Sequence, residues 1–320
     1  MNNKIEVPLF IPYSKRMKNL EDLKRKLSPN PVTRFAPSPT GYLHLGHVAS
    51  ALFVWAVAKA VRAKVILRIE DHDRGRCRPE YETAIFRDLE WLGFEYALGP
   101  DRAGQPSAYR QSDSEDRYIA ALDELIKSGL VFACRCSRKE IVSSGEELHY
   151  KGACREKGFS LTEKNVGLRF KVEDKIETFL DGFLGEQHQN PFDQCGDILL
   201  RDRHGNWTYQ FAVVVDDIHH GVNLVVRGQD LLSSTGRQIA LARALGRRSL
   251  PLFYHHPLIA DEKGVKLSKR TLAEGVTKRR EAGEYPDVII GEALFFLKKI
   301  PSNQPTKLKD ALEHLMPNLF

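Results

Sequence analysis

The chain has 320 residues, 42% of them apolar, and a formal net charge of +6. That length accommodates a large catalytic domain with one or two smaller modules, and the apolar share suits a packed soluble core, which excludes disordered and fibrous classes. No apolar run approaches the roughly 18 to 20 residues that span a bilayer, and the opening MNNKIEVPLFIPYSKRMKNL lacks the apolar core of a secretory signal, so a cytoplasmic location is expected.

Residues 1–30 read as an extension, with a basic helix over 14–27 broken by Ser28-Pro29-Asn30-Pro31. A buried strand follows at 32–36 and closes on Pro37-Ser38-Pro39-Thr40-Gly41. Helical spacing over 45–62 and a strand at 65–69 complete the opening of a parallel α/β sheet. Helices are expected at 81–92 and 113–128, sheet-like segments at 207–216 and 224–226, and a helix at 234–245. Between them the composition turns polar and charged. The organisation expected is therefore an extension (1–30), a doubly wound catalytic domain in two pieces (31–115 and 195–250), an insertion (116–194) and a helical C-terminal piece (251–320). The positive charge permits a polyanionic partner.

Two motifs carry phosphate chemistry. His44-Leu45-Gly46-His47 stands at a predicted helix N-terminus, where backbone N–H groups and the helix dipole favour anions. Two imidazoles one turn apart can donate to the same phosphates, and Gly46 lets a nucleotide approach the backbone. Taken alone, a histidine pair near a helix start is more often structural or metal-related. Lys266-Leu267-Ser268-Lys269-Arg270 follows a glycine-containing loop, where lysines can close over a triphosphate as charge develops on it. Alone, it is also a solvated basic loop.

Together these motifs resemble the HIGH and KMSKS signatures of class I aminoacyl-tRNA synthetases. RFAPSPTGYLH (34–44), RIED (68–71), YQFAVVVDD (209–217) and VRGQDL (226–231) narrow the resemblance to the glutamyl branch. It implies a Rossmann-type catalytic domain that binds ATP with Mg2+ and activates L-glutamate. His44, His47, Lys266 and Lys269 are then the catalytic set, with ATP on His44, Gly46, His47 and Lys269. Glutamate is expected on Arg34, Phe35, Ala36, Pro37, Ser38, Glu70, Tyr209 and Arg227. The substrate's own chemistry agrees, since two carboxylates call for guanidinium forks, Arg34 and Arg227, and the ammonium calls for an acid, Glu70. Which arginine takes which carboxylate stays open.

Cys134, Cys136 and Cys154 crowd one stretch, a pattern of metal ligation more than of disulfides, and the soft set favours zinc. His149 is the chemically ordinary fourth ligand, but the spacing resembles the CxC…YxxxC site of glutamyl-Q tRNA(Asp) synthetases, which implies Tyr150 and one structural zinc. Only 50 residues follow Arg270, less than an anticodon-binding domain needs. The resemblance thus implies transfer of glutamate to queuosine in the anticodon stem-loop of tRNA(Asp), by a monomer without membrane contact. The alternatives are a compact glutamyl-tRNA synthetase charging tRNA(Glu) and a non-catalytic tRNA-binding paralogue, which pyrophosphate exchange would separate from an enzyme.

Overall fold

Val32–Phe35 (β1) and Lys64–Leu67 (β2) are short apolar runs joined by one long helix, and this connection forces them parallel, with Arg34 opposite Ile66. A computed structural model describes residues 20–27, 29–143, 149–259 and 275–319. The extension contributes Leu20–Lys26 (α1) to the described residues. The connecting helix, Leu45–Val61 (α2), is buried on nearly all sides. That is why its sequence is apolar around most of its circumference rather than along one stripe.

After β2 come Pro79–Trp91 (α3) and Glu115–Lys127 (α4), then Val131–Cys134 (β3), Arg138–Ser143 (α5), Gly167–Phe170 (β4), Glu177–Asp181 (β5), Gly185–Gln189 (β6), Pro191–Cys195 (α6) and Ile198–Arg201 (β7). The order continues with Tyr209–His219 (α7), Leu224–Gly228 (β8), Thr235–Ala244 (α8), Leu252–His256 (β9), Val276–Glu281 (α9), Pro286–Phe296 (α10) and Leu308–Leu315 (α11). The fold is α/β with parallel central strands, as expected. No helix among the described residues is long and apolar enough to cross a membrane.

The central layer has a gap in its hydrogen bonding. β1 pairs with β2, and β8 pairs in parallel with β9, which continues to β5 and the antiparallel β6. Leu98 lies beyond β2 as a parallel bridge to Ile66. β1 runs beside β8, tied at its start by Asn223, whose N–H donates to the Val32 carbonyl at 3.1 Å while its Oδ1 accepts the Val32 N–H at 2.8 Å. At the other end the Arg34 Nη1 donates to the Val226 carbonyl at 3.2 Å. Chain order therefore reverses between β1 and β8, and ligands in open α/β sheets bind above such a switch point. α2, α10 and α11 share one apolar core with these strands; a second core joins β3, β4 and β7 to α4, α7 and α8.

Two expectations are corrected. The segment 207–216 is not sheet-like: apart from a bridge at Trp207, it forms the start of α7. Phe211, Ala212, Val213, Val214 and Val215 are all buried, so the run is continuously apolar, and burial on several sides erases the periodicity that distinguishes helix from strand. β9 and the β5–β6 pair belong to the central sheet, although sequence reading put them with the C-terminal piece and the insertion. β5 and β6 carry the polar alternation of an edge hairpin, which hid their membership.

Candidate active site and cysteine cluster

A cavity of about 590 Å³ opens above the β1/β8 switch point. It gathers Arg34, Phe35, Ala36, Pro37, His44, Gly46, His47, Glu70, Tyr209 and Arg227 from five separate stretches of the chain. Ser38 is exposed and does not line it. Lys266 and Lys269 lie outside the described residues.

Arg34 sits near the end of β1 and is buried; its Nε donates to Asp217 Oδ1 at 3.2 Å. The fully buried Arg68 donates to the same oxygen at 2.6 Å and to Glu70 Oε1 at 3.0 Å. Burial works to raise the Asp217 carboxyl, but Arg34 and Arg68 outweigh it and hold it down to about 2. Its neighbour Asp216 accepts from Arg117 at 2.6 Å, Gln111 at 2.8 Å and the Tyr118 hydroxyl at 3.0 Å, and its Oδ2 also lies 3.9 Å from Arg68 Nε. One turn of α7 thus binds two guanidinium systems with consecutive acids.

Arg227 is held differently. The parallel register of β8 and β9 sets it opposite His255, and its Nε donates to His255 Nε2 at 3.0 Å. Its Nη1 donates to Gln238 Oε1 at 2.7 Å and its Nη2 to Thr235 Oγ1 at 2.9 Å. All three acceptors are neutral. His255 accepts on Nε2, so its Nδ1 bears the proton and donates to the buried Asp181 at 2.6 Å. Burial pushes both the Arg227 guanidinium and the His255 imidazole below their ordinary values. The acid of this relay reaches Arg227 only through an imidazole. Among the described residues, Arg227 makes no direct ion pair with a carboxylate.

His44 and His47 form a reciprocal cap on α2: His44 Nδ1 accepts the Gly46 N–H and His47 Nδ1 accepts the His44 N–H, each at 3.1 Å. In the neutral rings this places both protons on Nε2. Their centroids are 3.9 Å apart. A Cβ on residue 46 would lie 2.9 Å from His44 Cε1, so glycine is required for the ring to fold over the helix end. Sequence reading missed His255, His256, Asp181, Gln238 and Thr235. A signal existed for the first two, since two histidines end the apolar run of β9. His256 lines the cavity, stacks on Phe53 at 4.6 Å and pairs with Ser50 Oγ at 3.1 Å. Burial lowers it to about 4, so it stays neutral.

The thiols of Cys134, Cys136 and Cys154 converge within 4.8 Å, with Cys136 and Cys154 Sγ 3.5 Å apart. Tetrahedral zinc thiolates stand about 3.8 Å apart, given a Zn–S bond of about 2.3 Å, so the donors fit that ion. The Tyr150 hydroxyl accepts from Cys134 Sγ at 3.4 Å and from the Cys154 N–H at 2.8 Å, which puts it in the cluster. His149 is turned away, its Nε2 2.9 Å from the Phe192 carbonyl. A second cavity, about 880 Å³, extends from Cys134 and Cys136 to Tyr209, which lines both cavities.

Residues 31–297 match the family model of class I tRNA synthetases (E and Q), catalytic domain. The chain is 39% identical to a glutamyl-Q tRNA(Asp) synthetase of Nitratidesulfovibrio vulgaris, over 87% of this chain and 90% of that one. It is 38% identical to a glutamate–tRNA ligase of Sulfurihydrogenibium, over 87% of this chain but only 60% of the ligase. Among solved structures, a glutamate tRNA ligase from Elizabethkingia meningosepticum in complex with its amino acid superposes with a TM-score of 0.73 at 27% identity, covering 89% of this chain and 64% of that one. The chain thus spans less than two thirds of these two ligases.

Proposed function

Because the chain belongs to the class I tRNA synthetases of the E and Q type, a family of aminoacyl ligases, we propose that it activates L-glutamate with ATP and passes the glutamyl group to queuosine in the anticodon of tRNA(Asp). The observation that carries glutamate activation is Arg227, a buried guanidinium on the cavity wall held by three neutral acceptors. A glutamate carboxylate becomes its counter-ion. Glutamine offers none, and a site built around a charged pair rejects the uncharged isostere. Glu70 faces the ammonium, Tyr209 closes the wall, and Arg34, neutralised by Asp217, shapes the floor beside Phe35, Ala36 and Pro37.

ATP enters as its Mg2+ complex, with its phosphates at the α2 N-terminus. There the Nε2–H groups of His44 and His47 and the positive end of the α2 dipole favour the charge that develops as the carboxylate attacks the α-phosphate. Lys266 and Lys269 are assigned the closing positive charge on the departing pyrophosphate from their motif. A zinc ion on Cys134, Cys136, Cys154 and Tyr150 would supply a structural cross-link between β3 and the segment at 150–154.

Transfer to queuosine draws its support from the likeness to the glutamyl-Q relative and from the placing of Tyr150 rather than His149 among the thiols. The test has two stages. Glutamate-dependent exchange of pyrophosphate into ATP is measured without RNA, followed by transfer of labelled glutamate to tRNA(Asp) with and without queuosine and to tRNA(Glu). Exchange in the absence of RNA, with transfer only to queuosine-bearing tRNA(Asp), is the expected result. Charging of tRNA(Glu) instead would make the chain a glutamate–tRNA ligase; no exchange under any condition would make it a binding protein.

A further inference from the structure

The second cavity is lined by four arginines, Arg138, Arg169, Arg203 and Arg237. Two aspartates also face it, but both are committed elsewhere. Asp197 Oδ1 accepts the Val172 N–H at 3.0 Å and pairs with Arg155 at 3.3 Å. Asp202 accepts the backbone N–H groups of His204 and Asn206, each at 2.8 Å, and the Asn206 amide at 2.9 Å. At the mouth Arg203 donates to the Arg135 carbonyl at 3.1 Å, but the two inner arginines are less well served. Arg169 is only 7% exposed, holds its Cζ 3.9 Å from the centroid of the Tyr150 ring and donates Nη1 to the Asp197 carbonyl at 2.8 Å, yet its buried Nε has no partner among the described residues. The buried Nε of Arg237 has none either.

Native interiors rarely leave buried donors unmade, and a guanidinium with unfilled donors in a cavity implies an acceptor from outside. We propose that this cavity is an anion seat for a phosphodiester group of the RNA that receives the glutamyl group, with Arg169 and Arg237 as its inner donors and Arg138 and Arg203 at its mouth. The planar fork of arginine matches phosphate oxygens in pairs, and phosphate contacts fix the register of a nucleic acid without reading its bases. The source is RNA rather than free phosphate because Tyr209 is a wall common to this cavity and to the one assigned to glutamate. A phosphate held here sets its neighbouring nucleoside against the activated carboxyl group. The inference rests on the glutamate-activating reading of the first cavity.

The test uses the 320-residue chain as purified and the variant Arg237→Gln, with Arg203→Gln as the second variant should the first not fold. Three quantities are read: pyrophosphate exchange without RNA, the KM for queuosine-bearing tRNA(Asp) and for tRNA(Glu) in transfer, and the salt dependence of tRNA binding. Exchange should be unchanged, the KM for the RNA that accepts glutamate should rise about tenfold, and the slope of log Kd against log salt should shrink by about one. Arg237→Lys should restore the slope but only part of the KM, since it returns the charge without the fork. An unchanged RNA KM and slope in the glutamine variants would overturn the seat while leaving glutamate activation standing, as would loss of exchange in parallel with transfer. Inorganic phosphate that binds the wild type at millimolar concentration without competing with tRNA would also overturn it. A wild type without exchange removes both readings.

Discussion

Replacing Arg227 by glutamine removes the charge while leaving an amide that Gln238 and Thr235 can still engage. In the wild type the guanidinium is 5% exposed and hydrogen-bonded to His255, Gln238 and Thr235 at 2.7 to 3.0 Å. Its orientation is therefore fixed before substrate arrives, and little rotamer entropy is lost on binding. Breaking a buried ion pair by deleting one partner costs about 3 to 5 kcal/mol, because the surviving charge stays desolvated. At about 1.4 kcal/mol per decade, kcat/KM for glutamate should fall by roughly two to three and a half orders of magnitude. The assay is initial-rate pyrophosphate exchange over a glutamate series at saturating ATP, with glutamine as competitor. His255→Leu provides a graded comparison. It leaves Arg227 Nε without its acceptor, a loss of about 1 to 3 kcal/mol, so the KM for glutamate should rise roughly five- to 150-fold while that for ATP stays put. His255→Gln, which returns an acceptor, should recover much of the loss. Unchanged glutamate use by Arg227→Gln, or equal use of glutamine by the wild type, would refute the assignment.

Two further outcomes follow. Elemental analysis of purified protein should find about one zinc per chain, and Cys136→Ser should lose it and lower the melting temperature; a metal-free wild type that folds and exchanges pyrophosphate would dismiss the site. Burial holds His220 and His256 at about 4, below their ordinary 6.5, so between these values the unfolded chain takes up protons that the folded chain refuses. Stability should hold above pH 6.5 and fall as pH drops from 6.5 towards 4, and a melting temperature constant across that window by calorimetry would contradict it.

Much of the fold was legible because its signals are local. The strand at 32–36, the helix after His44-Leu45-Gly46-His47 and the strand after it each announce themselves by periodicity, and β8 by its short apolar run. The long motifs drew ten of the expected site residues into one cavity. The relay behind Arg227 was not legible. It depends on the β8–β9 register and on where α8 packs, and neither Asp181 nor Gln238 stands near Arg227 in the chain in a way that predicts contact. Asp216 and Asp217 illustrate the same limit. They are adjacent in sequence, yet α7 gives Arg117 to Asp216 and Arg34 to Asp217 while Arg68 lies within reach of both, and only a helix explains that arrangement.

The interrupted pairing between β1 and β8 has a mechanical consequence. Most sheets are stitched across their middle by a regular backbone ladder; here the seam is closed by Asn223 at one end and by a guanidinium at the other. A substrate lying above that seam, with one end on residues following β1 and the other on the tip of β8, becomes a further stitch, completing a junction that the backbone leaves partly open. Occupancy of the site and cohesion of the two half-sheets are then one equilibrium, so that the folded state gains stability in proportion to the logarithm of ligand concentration over its Kd.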